Sequence, residues 1–334
     1  MKLLRLPAIA LAITIFALAL GLAACGEKSE DGSTETEPFS LTLDFYPNPD
    51  HAGIYMAQKL GYFADAGLDV SIQTPSDPAA PIKLVAAGQT DLAISYEPEV
   101  LLAQEQGLDV VAVGALVDRP LTSLIWLKKS GIGGVADLRG KTIATAGIPY
   151  QDAYLKTILA RAKLTPSDVK TVNVGYGLLP ALVGGSADAM LGGFSNVEGV
   201  DLRLRGKDPV VTPVDKLGVP SYDELVLVAK GSRLGEDPEA IRLFLAGLAR
   251  GTAAAIKSPD ATAAALLEAN SDLDPKLTRA ELVATLPLLS KRGFMDEAKW
   301  KRFIAWMREN GLISAPIPIS QVLSNAYLPG EIPE

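Results

Sequence analysis

One short stretch of the chain concentrates side chains that can hold a small molecule. Residues 44–55 read DFYPNPDHAGIY and contain two adjacent rings, Phe45 and Tyr46, the amide of Asn48, and His51, the only histidine of the protein. Aromatic rings stack on flat heterocycles, while amide and imidazole groups donate and accept hydrogen bonds. The stretch therefore predicts a small-molecule site. The alternative is a proline-braced turn in which His51 only packs or fixes the loop.

The flanking sequence predicts the elements that position this stretch. An alternating apolar run over residues 39–45 indicates a strand, and Pro47 and Pro49 exclude helix and ladder pairing. Asp50 is a candidate N-cap for a helix that runs to Leu60. A strand, a stiff loop and a helix in succession place the loop at a carboxyl-terminal strand end, where open α/β sheets bind ligands.

The remainder of the chain alternates short apolar strands with helices, which is typical of an α/β protein with a mostly parallel sheet. The predicted strands cover residues 68–72, 92–94, 110–113, 141–145, 172–174, 189–191 and 225–228. After the last of them the pattern is helical, with predicted helices over residues 238–256, 260–269, 278–289 and 297–310.

A weak internal repeat joins residues 88–97 to residues 185–198. Each copy has a Gly-x-x-Asp turn, an apolar strand and an aromatic residue near the strand end, Tyr96 and Phe194, and an acid such as Glu198 follows. The repeat predicts two lobes of similar build with a cleft between them. A chance match in a sequence rich in alanine and glycine is the alternative.

The N-terminal segment predicts that the protein is exported by a signal sequence. Residues 1–24 combine a basic start with a long apolar run, as in a secretory signal. They end in Leu-Ala-Ala before Cys25, the only cysteine, and this sequence resembles the bacterial lipobox. We expect a diacylglyceryl group on Cys25 and a flexible tether over residues 25–38, against the alternative of an uncleaved transmembrane helix. The predicted location is the bacterial cell envelope, extracytoplasmic and lipid-anchored.

The net charge of −8 argues against a nucleic-acid partner. Among the motifs, no nucleotide loop, metal-ligand cluster or catalytic triad order is present, so the sequence predicts no catalysis, no metal and no cofactor.

Several motifs are similar to those of the substrate-binding proteins of ABC importers, specifically the group that binds thiamine pyrimidine precursors and shares a domain with fungal pyrimidine synthases. The most specific are the Pro-Asn-x-x-His loop within residues 44–55 and Gly-Gly-Phe-Ser-Asn-Val-Glu-Gly at residues 192–199. Further matches are GYF at 61–63, GLDV at 67–70, LVAAG at 84–88, SYEP at 95–98, GIP at 147–149 and VNVGY at 172–176.

The resemblance implies a two-lobed type II periplasmic-binding-protein fold with a hinge between the lobes. Lobe one is expected at residues 39–128 and 222–334, and lobe two at residues 129–221. The family implies a monomer that binds a formyl-aminopyrimidine or hydroxymethylpyrimidine in the cleft. It would deliver this ligand to an ABC permease and its ATPase.

The resemblance also suggests roles for individual side chains. Glu198 matches the family's second-lobe acid, and its carboxylate can meet the amino and ring-nitrogen edge of an aminopyrimidine. The candidate ring faces are Phe45, Tyr46, Tyr96 and Phe194, although relatives often have tryptophan where this chain has Phe45. Asn48 and His51 suit the ring substituent, and Tyr150 is expected to line the wall of lobe two or pack in its core. Glu97 and Glu99 are predicted to be surface residues of a helix.

Two alternative functions remain open at the level of sequence. The first is an enzyme like the fungal synthase, in which the matching histidine is consumed as substrate and a cysteine-rich motif helps to bind iron; this chain has only Cys25. The second is a binding protein for a sulfonate or another anion, which would require Arg or Lys in the cleft loops. The loops that contain the motifs above hold neither.

Overall fold

The computed structural model describes residues 36–330. The predicted signal at residues 1–24, Cys25 and most of the predicted tether lie outside the described residues. The first strand begins at Glu37, so the folded chain starts slightly before the predicted end of the tether at residue 38. None of the helices between residues 36 and 330 has the length and hydropathy that crossing a membrane requires.

The strands of residues 36–330 form two separate five-stranded sheets. Their bounds are β1 Glu37–Thr42, β2 Leu68–Gln73, β3 Leu92–Ser95, β4 Val110–Val117, β5 Thr122–Leu127, β6 Thr142–Thr145, β7 Lys170–Asn173, β8 Ala189–Phe194, β9 Pro209–Pro213 and β10 Leu225–Lys230. The predicted α/β class is confirmed.

The first sheet has the order β2-β1-β3-β10-β4, and β10 runs antiparallel to both of its neighbours. The other four strands run in one direction. Every residue of β3 and β4 is buried, as expected for strands that helices cover on both faces. We call this sheet and the helices packed on it lobe one.

The second sheet repeats this topology with the order β7-β6-β8-β5-β9, and here β5 is the reversed strand. Single residues also occupy equivalent positions in the two sheets. Asp91 before β3 accepts a hydrogen bond from the backbone N–H of Ser40 in β1 at 2.6 Å, and Asp188 before β8 accepts one from Thr142 in β6 at 2.8 Å. These contacts support the internal repeat over a chance match. We call the second sheet and its helices lobe two.

The helices follow the predicted positions closely. Their bounds are α1 Ala52–Lys59, α2 Tyr62–Asp65, α3 Pro81–Ala86, α4 Glu97–Glu105, α5 Tyr150–Ala160, α6 Leu178–Gly184, α7 Glu198–Leu204, α8 Gly231–Glu236, α9 Pro238–Lys257, α10 Pro259–Ala269, α11 Pro275–Thr285, α12 Glu297–Glu309 and α13 Ile319–Val322.

The long helix α9 packs closely on α1, and glycine makes this approach possible. A Cβ atom on Gly251 of α9 would lie 2.6 Å from the Cβ of Ala57 and 2.7 Å from its backbone nitrogen. On the sheet side of α9, the ring of Phe244 stacks between Phe39 and Phe63, with centroids 5.1 and 4.9 Å away. These contacts fix α1, and therefore the loop before it, against the core of lobe one.

The boundary between the lobes differs from the predicted one. We expected lobe one to continue to residue 128, but β5 pairs with β8 and β9 in the second sheet. The chain therefore passes from the first sheet to the second at residues 118–121 and returns at residues 218–224. The reason is that β5 is apolar and fully buried, and it fills the position between β8 and β9.

A buried acid joins these two crossover segments. The Glu224 carboxylate accepts hydrogen bonds from the backbone N–H groups of Leu121 and Thr122 at 2.6 and 2.7 Å. It also accepts from the Thr122 hydroxyl at 2.8 Å and from the Tyr222 hydroxyl at 2.9 Å. Burial raises the pKa of Glu224 to about 7 against the lowering effect of these donors. Four donors on one carboxylate hold the two connections side by side.

Candidate ligand-binding site

The loop of residues 44–55 forms as a short 3₁₀ turn at Pro49–His51 followed by α1. We expected Asp50 to be the N-cap, but the cap is Asn48, whose side-chain oxygen accepts a hydrogen bond from the backbone N–H of Asp50 at 2.9 Å. The difference arises because the 3₁₀ turn begins earlier than the α-helix, so the capping position moves toward the N-terminus.

His51 braces this loop from behind. Its Nδ1 accepts a hydrogen bond from the backbone N–H of Asn48 at 3.2 Å, and its Nε2 lies 2.9 Å from Oδ1 of Asp44. Because Nδ1 is an acceptor, the proton is on Nε2 and is donated to the carboxylate. Oδ2 of Asp44 accepts from the Tyr96 hydroxyl at 2.9 Å. The network ties the end of β1, the loop and the end of β3 into one rigid unit.

A cavity opens between the lobes beside this unit. Six of the predicted site residues line it: Phe45, Asn48, Tyr96, Tyr150, Phe194 and Glu198. The first three belong to lobe one and the last three to lobe two. The structure thus brings together side chains that are up to about 150 positions apart in the sequence, at the carboxyl ends of strands in both sheets.

Glu198 is one of the two acids that line the cavity, together with Asp44. Its side chain is only 6% exposed, and Oε2 accepts a hydrogen bond from the backbone N–H of Phe194 at 2.7 Å. Oε1 accepts no hydrogen bond from another residue in the described part of the chain. Desolvation raises the pKa of Glu198 to about 7, with a smaller contribution from Asp201 and Asp44. The carboxyl group therefore exchanges a proton readily near neutral pH.

The aromatic walls come from both lobes. The ring of Phe45 meets the edge of Tyr176 from lobe two with centroids 4.6 Å apart. Tyr96 and Tyr150 lie with their ring centroids 5.6 Å apart at an angle of 60°, so the lobes also meet along these two buried rings. Phe45 and Phe194 are partly exposed and offer apolar surface to the cavity.

Two predicted residues do not line this cavity. His51 is 0% exposed and both ring nitrogens are engaged, so its place is behind the loop and the loop-fixing alternative describes it correctly. Tyr46 is 37% exposed and lines an adjoining cavity instead. The rings of Phe45 and Tyr46 pack against each other with centroids 4.4 Å apart, so Phe45 lines the first cavity while Tyr46 lies beside it on the adjoining one.

Five further residues line the cavity without having been predicted as site residues: Asp44, Ala146, Ile148, Gly192 and Val197. Asp44 had a recognisable signal, since an acid at a strand end beside the only histidine suggests a hydrogen-bonded pair. Gly192 has φ +116°, and a Cβ there would clash with the buried amide of Gln151, so only glycine fits.

The prediction that Glu97 and Glu99 are surface residues is wrong, since both side chains are buried. Glu97 accepts a hydrogen bond from the backbone N–H of Asp223 at 2.7 Å, and Glu99 accepts one from the Ser95 hydroxyl at 3.0 Å. The helix that carries them is covered by lobe two and by the crossover, so partners exist that local sequence does not reveal.

Direct hydrogen bonds cross the cleft beside the cavity. The Asn196 amide of lobe two donates to Oδ1 of Asp50 and to the hydroxyl of Thr285, both at 2.8 Å and both in lobe one. The Tyr176 hydroxyl donates to the backbone oxygen of Pro75 at 2.9 Å. The lobes are therefore in contact around the cavity.

Taken together, the cavity has two carboxyl groups, an amide and aromatic walls, and no Lys or Arg among the residues that line it. Both oxygens of Asp44 already accept hydrogen bonds from His51 and Tyr96, which leaves Glu198 as the acid with a free oxygen. Such a site suits a flat heterocycle that donates hydrogen bonds and carries no negative charge.

Residues 48–262 match the protein family described as NMT1/THI5 like. A Haemophilus influenzae protein named for thiamine biosynthesis is 35% identical over 287 residues, which cover 85% of this chain and 91% of the relative. The formylaminopyrimidine-binding protein of Halalkalibacterium halodurans is 33% identical over 322 residues, covering 94% and 97%. A 4-amino-5-hydroxymethyl-2-methylpyrimidine phosphate synthase of Legionella pneumophila is 27% identical over 293 residues, covering 87% and 92%.

Solved structures share the architecture at low sequence identity. The alkanesulfonate-binding protein SsuA of Xanthomonas axonopodis pv. citri superimposes with a TM-score of 0.68 at 17% identity, over 87% of this chain and 99% of that one. A Candida albicans protein described as having the generic periplasmic binding protein structural fold gives 0.64 at 13% identity, over 87% and 96%. These likenesses confirm the predicted two-lobed periplasmic-binding-protein fold.

Proposed function

Because the chain belongs to the NMT1/THI5-like family, we propose that it captures a thiamine pyrimidine precursor between its lobes and releases it unchanged. The ligand is a 4-aminopyrimidine with a short substituent of the formylaminomethyl or hydroxymethyl kind. A relative named as a formylaminopyrimidine-binding protein, alignable along 94% of this chain, supports this ligand class.

The observation that carries the proposal is the free oxygen of a buried carboxyl group in a cavity with aromatic walls. A carboxyl group and the edge of an aminopyrimidine form two parallel hydrogen bonds. The amino group donates to one oxygen, and a single proton lies between the other oxygen and the ring nitrogen. The pKa of Glu198, raised by burial to about 7, lets the pair place that proton on either partner near neutral pH. Phe45 and Phe194 provide apolar surface for the ring faces, and Asn48 can bond the substituent.

The binding protein would serve an ABC importer, handing its ligand to a permease and its ATPase as a monomer. The fold shared with an alkanesulfonate-binding protein supports this role and an extracytoplasmic location. The lipobox-like sequence before Cys25 supports a lipid anchor on the bacterial cell envelope.

A synthase-like enzyme is the second candidate, and a relative named as a pyrimidine phosphate synthase favours it. In that case the histidine that matches His51 would be consumed. The intact mass of the protein, measured before and after aerobic incubation with iron and the small-molecule extract of a pyrimidine-synthesising cell, separates the two. Binding without catalysis leaves the mass unchanged, whereas loss of the His51 side chain would establish the enzyme.

A thermal-shift screen of the purified protein tests the ligand class. Formylated aminopyrimidine, hydroxymethylpyrimidine and thiamine are compared with taurine and nitrate. We expect the aminopyrimidines to raise the melting temperature and the two anions to leave it unchanged. Stabilisation by the anions alone would show that the pyrimidine assignment is wrong.

A further inference from the structure

The hydrogen bonds that Asn196 makes across the cleft join buried polar side chains of the two lobes. Its Nδ2 donates to Oδ1 of Asp50 and to the hydroxyl of Thr285, both at 2.8 Å, and the three side chains are at most 2% exposed. Asn196 lies two residues before Glu198, and Asp50 lies two residues after Asn48. The contact therefore ties together the two segments that supply the free carboxyl oxygen and the amide of the ligand cavity.

Each of the two main partners has one atom left over in this contact. Oδ2 of Asp50 and Oδ1 of Asn196 are both buried, and neither has a hydrogen-bond partner among the described residues. An ionised carboxylate and an amide oxygen only accept hydrogen bonds, so these two oxygens cannot satisfy each other as they stand. Buried polar atoms without a partner are unfavourable. A single proton on Oδ2 of Asp50 supplies a donor for Oδ1 of Asn196 and removes both deficits at once.

The charges around Asp50 also favour its protonated form. Burial raises the pKa of Asp50 well above its usual range, against the lowering effect of the hydrogen bond from Asn196. The acids that interact with Asp50 come from the end of β1, α7, the return crossover and α11: Asp44, Glu198, Glu224 and Glu281.

No positive charge offsets these acids at Asp50. His51, the next residue, is neutral and donates its ring proton to Asp44. Lys291 and Arg292 line a separate cavity in lobe one that Asp50 also lines, but both are exposed, and within residues 36–330 neither forms an ion pair with Asp50. A carboxylic acid therefore fits this position better than a carboxylate.

We propose that Asp50 carries a proton at neutral pH and forms two parallel hydrogen bonds with Asn196, and that this acid–amide pair is a latch that holds the lobes closed over the ligand. Only its effect on affinity rests on the proposed function. When the lobes separate, Asp50 and Asn196 part and water reaches the carboxyl group, which then ionises like an ordinary acid. The latch is present below the raised pKa of Asp50 and is lost as the pH rises through it. Asp50 and Asn196 are positioning residues, because neither lines the ligand cavity.

Two replacements of Asp50 distinguish an acid from a carboxylate. Asp50→Asn reproduces the protonated group, since its amide keeps one acceptor and offers a donor to Oδ1 of Asn196, whereas Asp50→Ala removes both. In calorimetric titration with hydroxymethylpyrimidine at pH 7, Asp50→Ala should raise the dissociation constant about tenfold or more, and Asp50→Asn should stay within about threefold of the unchanged protein. Asp69→Asn, which removes a charge on the exposed side of β2, is the control. Equal losses for Asp50→Asn and Asp50→Ala would overturn the proposal.

A double-mutant cycle shows whether Asp50 and Asn196 act as one unit. Asn196→Ala should weaken binding about as much as Asp50→Ala, and the variant with both changes should be little weaker than either one alone. Effects on affinity that simply add would contradict the latch.

Infrared spectroscopy detects the proton itself, because a protonated carboxyl group has a carbonyl band that a carboxylate lacks. In the protein without ligand at pH 7, Asp50→Asn should reduce this band, and Asp69→Asn should leave it unchanged. An equally strong band before and after Asp50→Asn would show that Asp50 is ionised and would overturn the proposal.

These measurements separate the latch from the proposed function. If hydroxymethylpyrimidine does not bind the unchanged protein, the proposed function is contradicted, while the infrared spectra and the melting temperatures still decide the latch. Without ligand, Asp50→Ala should lower the melting temperature more than Asp50→Asn does. If pyrimidine binds but the two variants melt and bind alike, the proposed function stands and the latch is wrong.

Discussion

Glu198 has one carboxylate oxygen bound to the backbone and one available to a ligand, and burial makes the available oxygen a strong partner. In water such a group would exchange one set of hydrogen bonds for another with little gain. In the cavity few competing hydrogen-bond partners remain. A hydrogen bond between the Glu198 carboxyl group and a ligand therefore contributes more to the binding free energy.

Replacing Glu198 by Gln tests whether its carboxyl group binds the ligand. Gln keeps the size and an acceptor for the Phe194 N–H, but it cannot share a proton with a ring nitrogen. We expect the dissociation constant for hydroxymethylpyrimidine to rise roughly ten- to hundredfold. Calorimetric titration measures it, with Glu309→Gln as the surface control; an unchanged constant would remove Glu198 from the site.

Residue roles could be predicted from the sequence where local pattern and position agree. Phe194, Tyr96 and Glu198 follow strand ends, so their entry into the cavity is a consequence of sheet topology. Glu97 was misjudged because its partner, the backbone of Asp223, is 126 positions away. A glutamate that has a buried partner and one that faces solvent look the same in a single helix pattern.

At the scale of elements, two strands were not predicted, β5 and β9, and the reason differs between them. β9 begins and ends with proline, which usually breaks strands, but it lies at the edge of its sheet, where proline is tolerated. β5 is fully buried, with two polar residues followed by four apolar ones, and the sheet that it joins cannot be read from its own residues. Because β5 was not recognised, the lobe boundary was placed about ten residues late.

Helix packing gives a prediction at this scale. Gly251→Ala places a methyl group against Ala57 of α1, in a contact that has no room for it. We expect the free energy of unfolding to fall by about 1–3 kcal/mol, in line with overpacking of a close helix pair. Urea denaturation measures it. Gly235→Ala is the control, since a methyl group there meets open space; equal effects of both changes would refute the packing argument.

The crossover acid gives a second prediction. Glu224→Ala leaves four buried donors without an acceptor, which should lower the free energy of unfolding by roughly 3 kcal/mol or more. Glu224→Gln keeps a carbonyl oxygen for the two backbone N–H groups and should lose much less. Chemical denaturation of both variants compares them, and an alanine variant as stable as the glutamine variant would contradict the role of Glu224.

For the whole molecule, the position of Glu224 also predicts how stability depends on pH. Its pKa is raised from 4.5 to about 7 in the folded protein, so between these values the folded state binds more protons than the unfolded chain. The contribution is fully present below pH 4.5 and is lost as the pH rises through 7. Glu198 and Glu99, with pKa values also raised to about 7, act in the same direction.

We therefore expect the free energy of unfolding to decrease as the pH rises from about 5 to about 8, by roughly 3 kcal/mol for a fully buried acid such as Glu224. Denaturation curves across this range measure the slope. Glu224→Gln should make the slope smaller because it has no proton to lose. Stability that stays constant or increases over the range would contradict the assignment.

Hydrogen bonds across the cleft join the two lobes beside the cavity. Asn196 donates a hydrogen bond to Asp50 on the loop that Asn48 and His51 hold in place, and Glu224 joins the two crossover segments. We propose that the lobes turn at these two segments. We propose that lobe closure forms the Asn196 contacts and brings Glu198 to the ring bound on the opposite lobe.

A crystal structure of the protein with hydroxymethylpyrimidine tests the central claim most directly. We predict that the ring lies in the cavity between Phe45 and Phe194, with its amino group and ring nitrogen within hydrogen-bond distance of the Glu198 carboxyl group. A ring bound elsewhere, or one whose amino edge faces away from Glu198, would contradict the account.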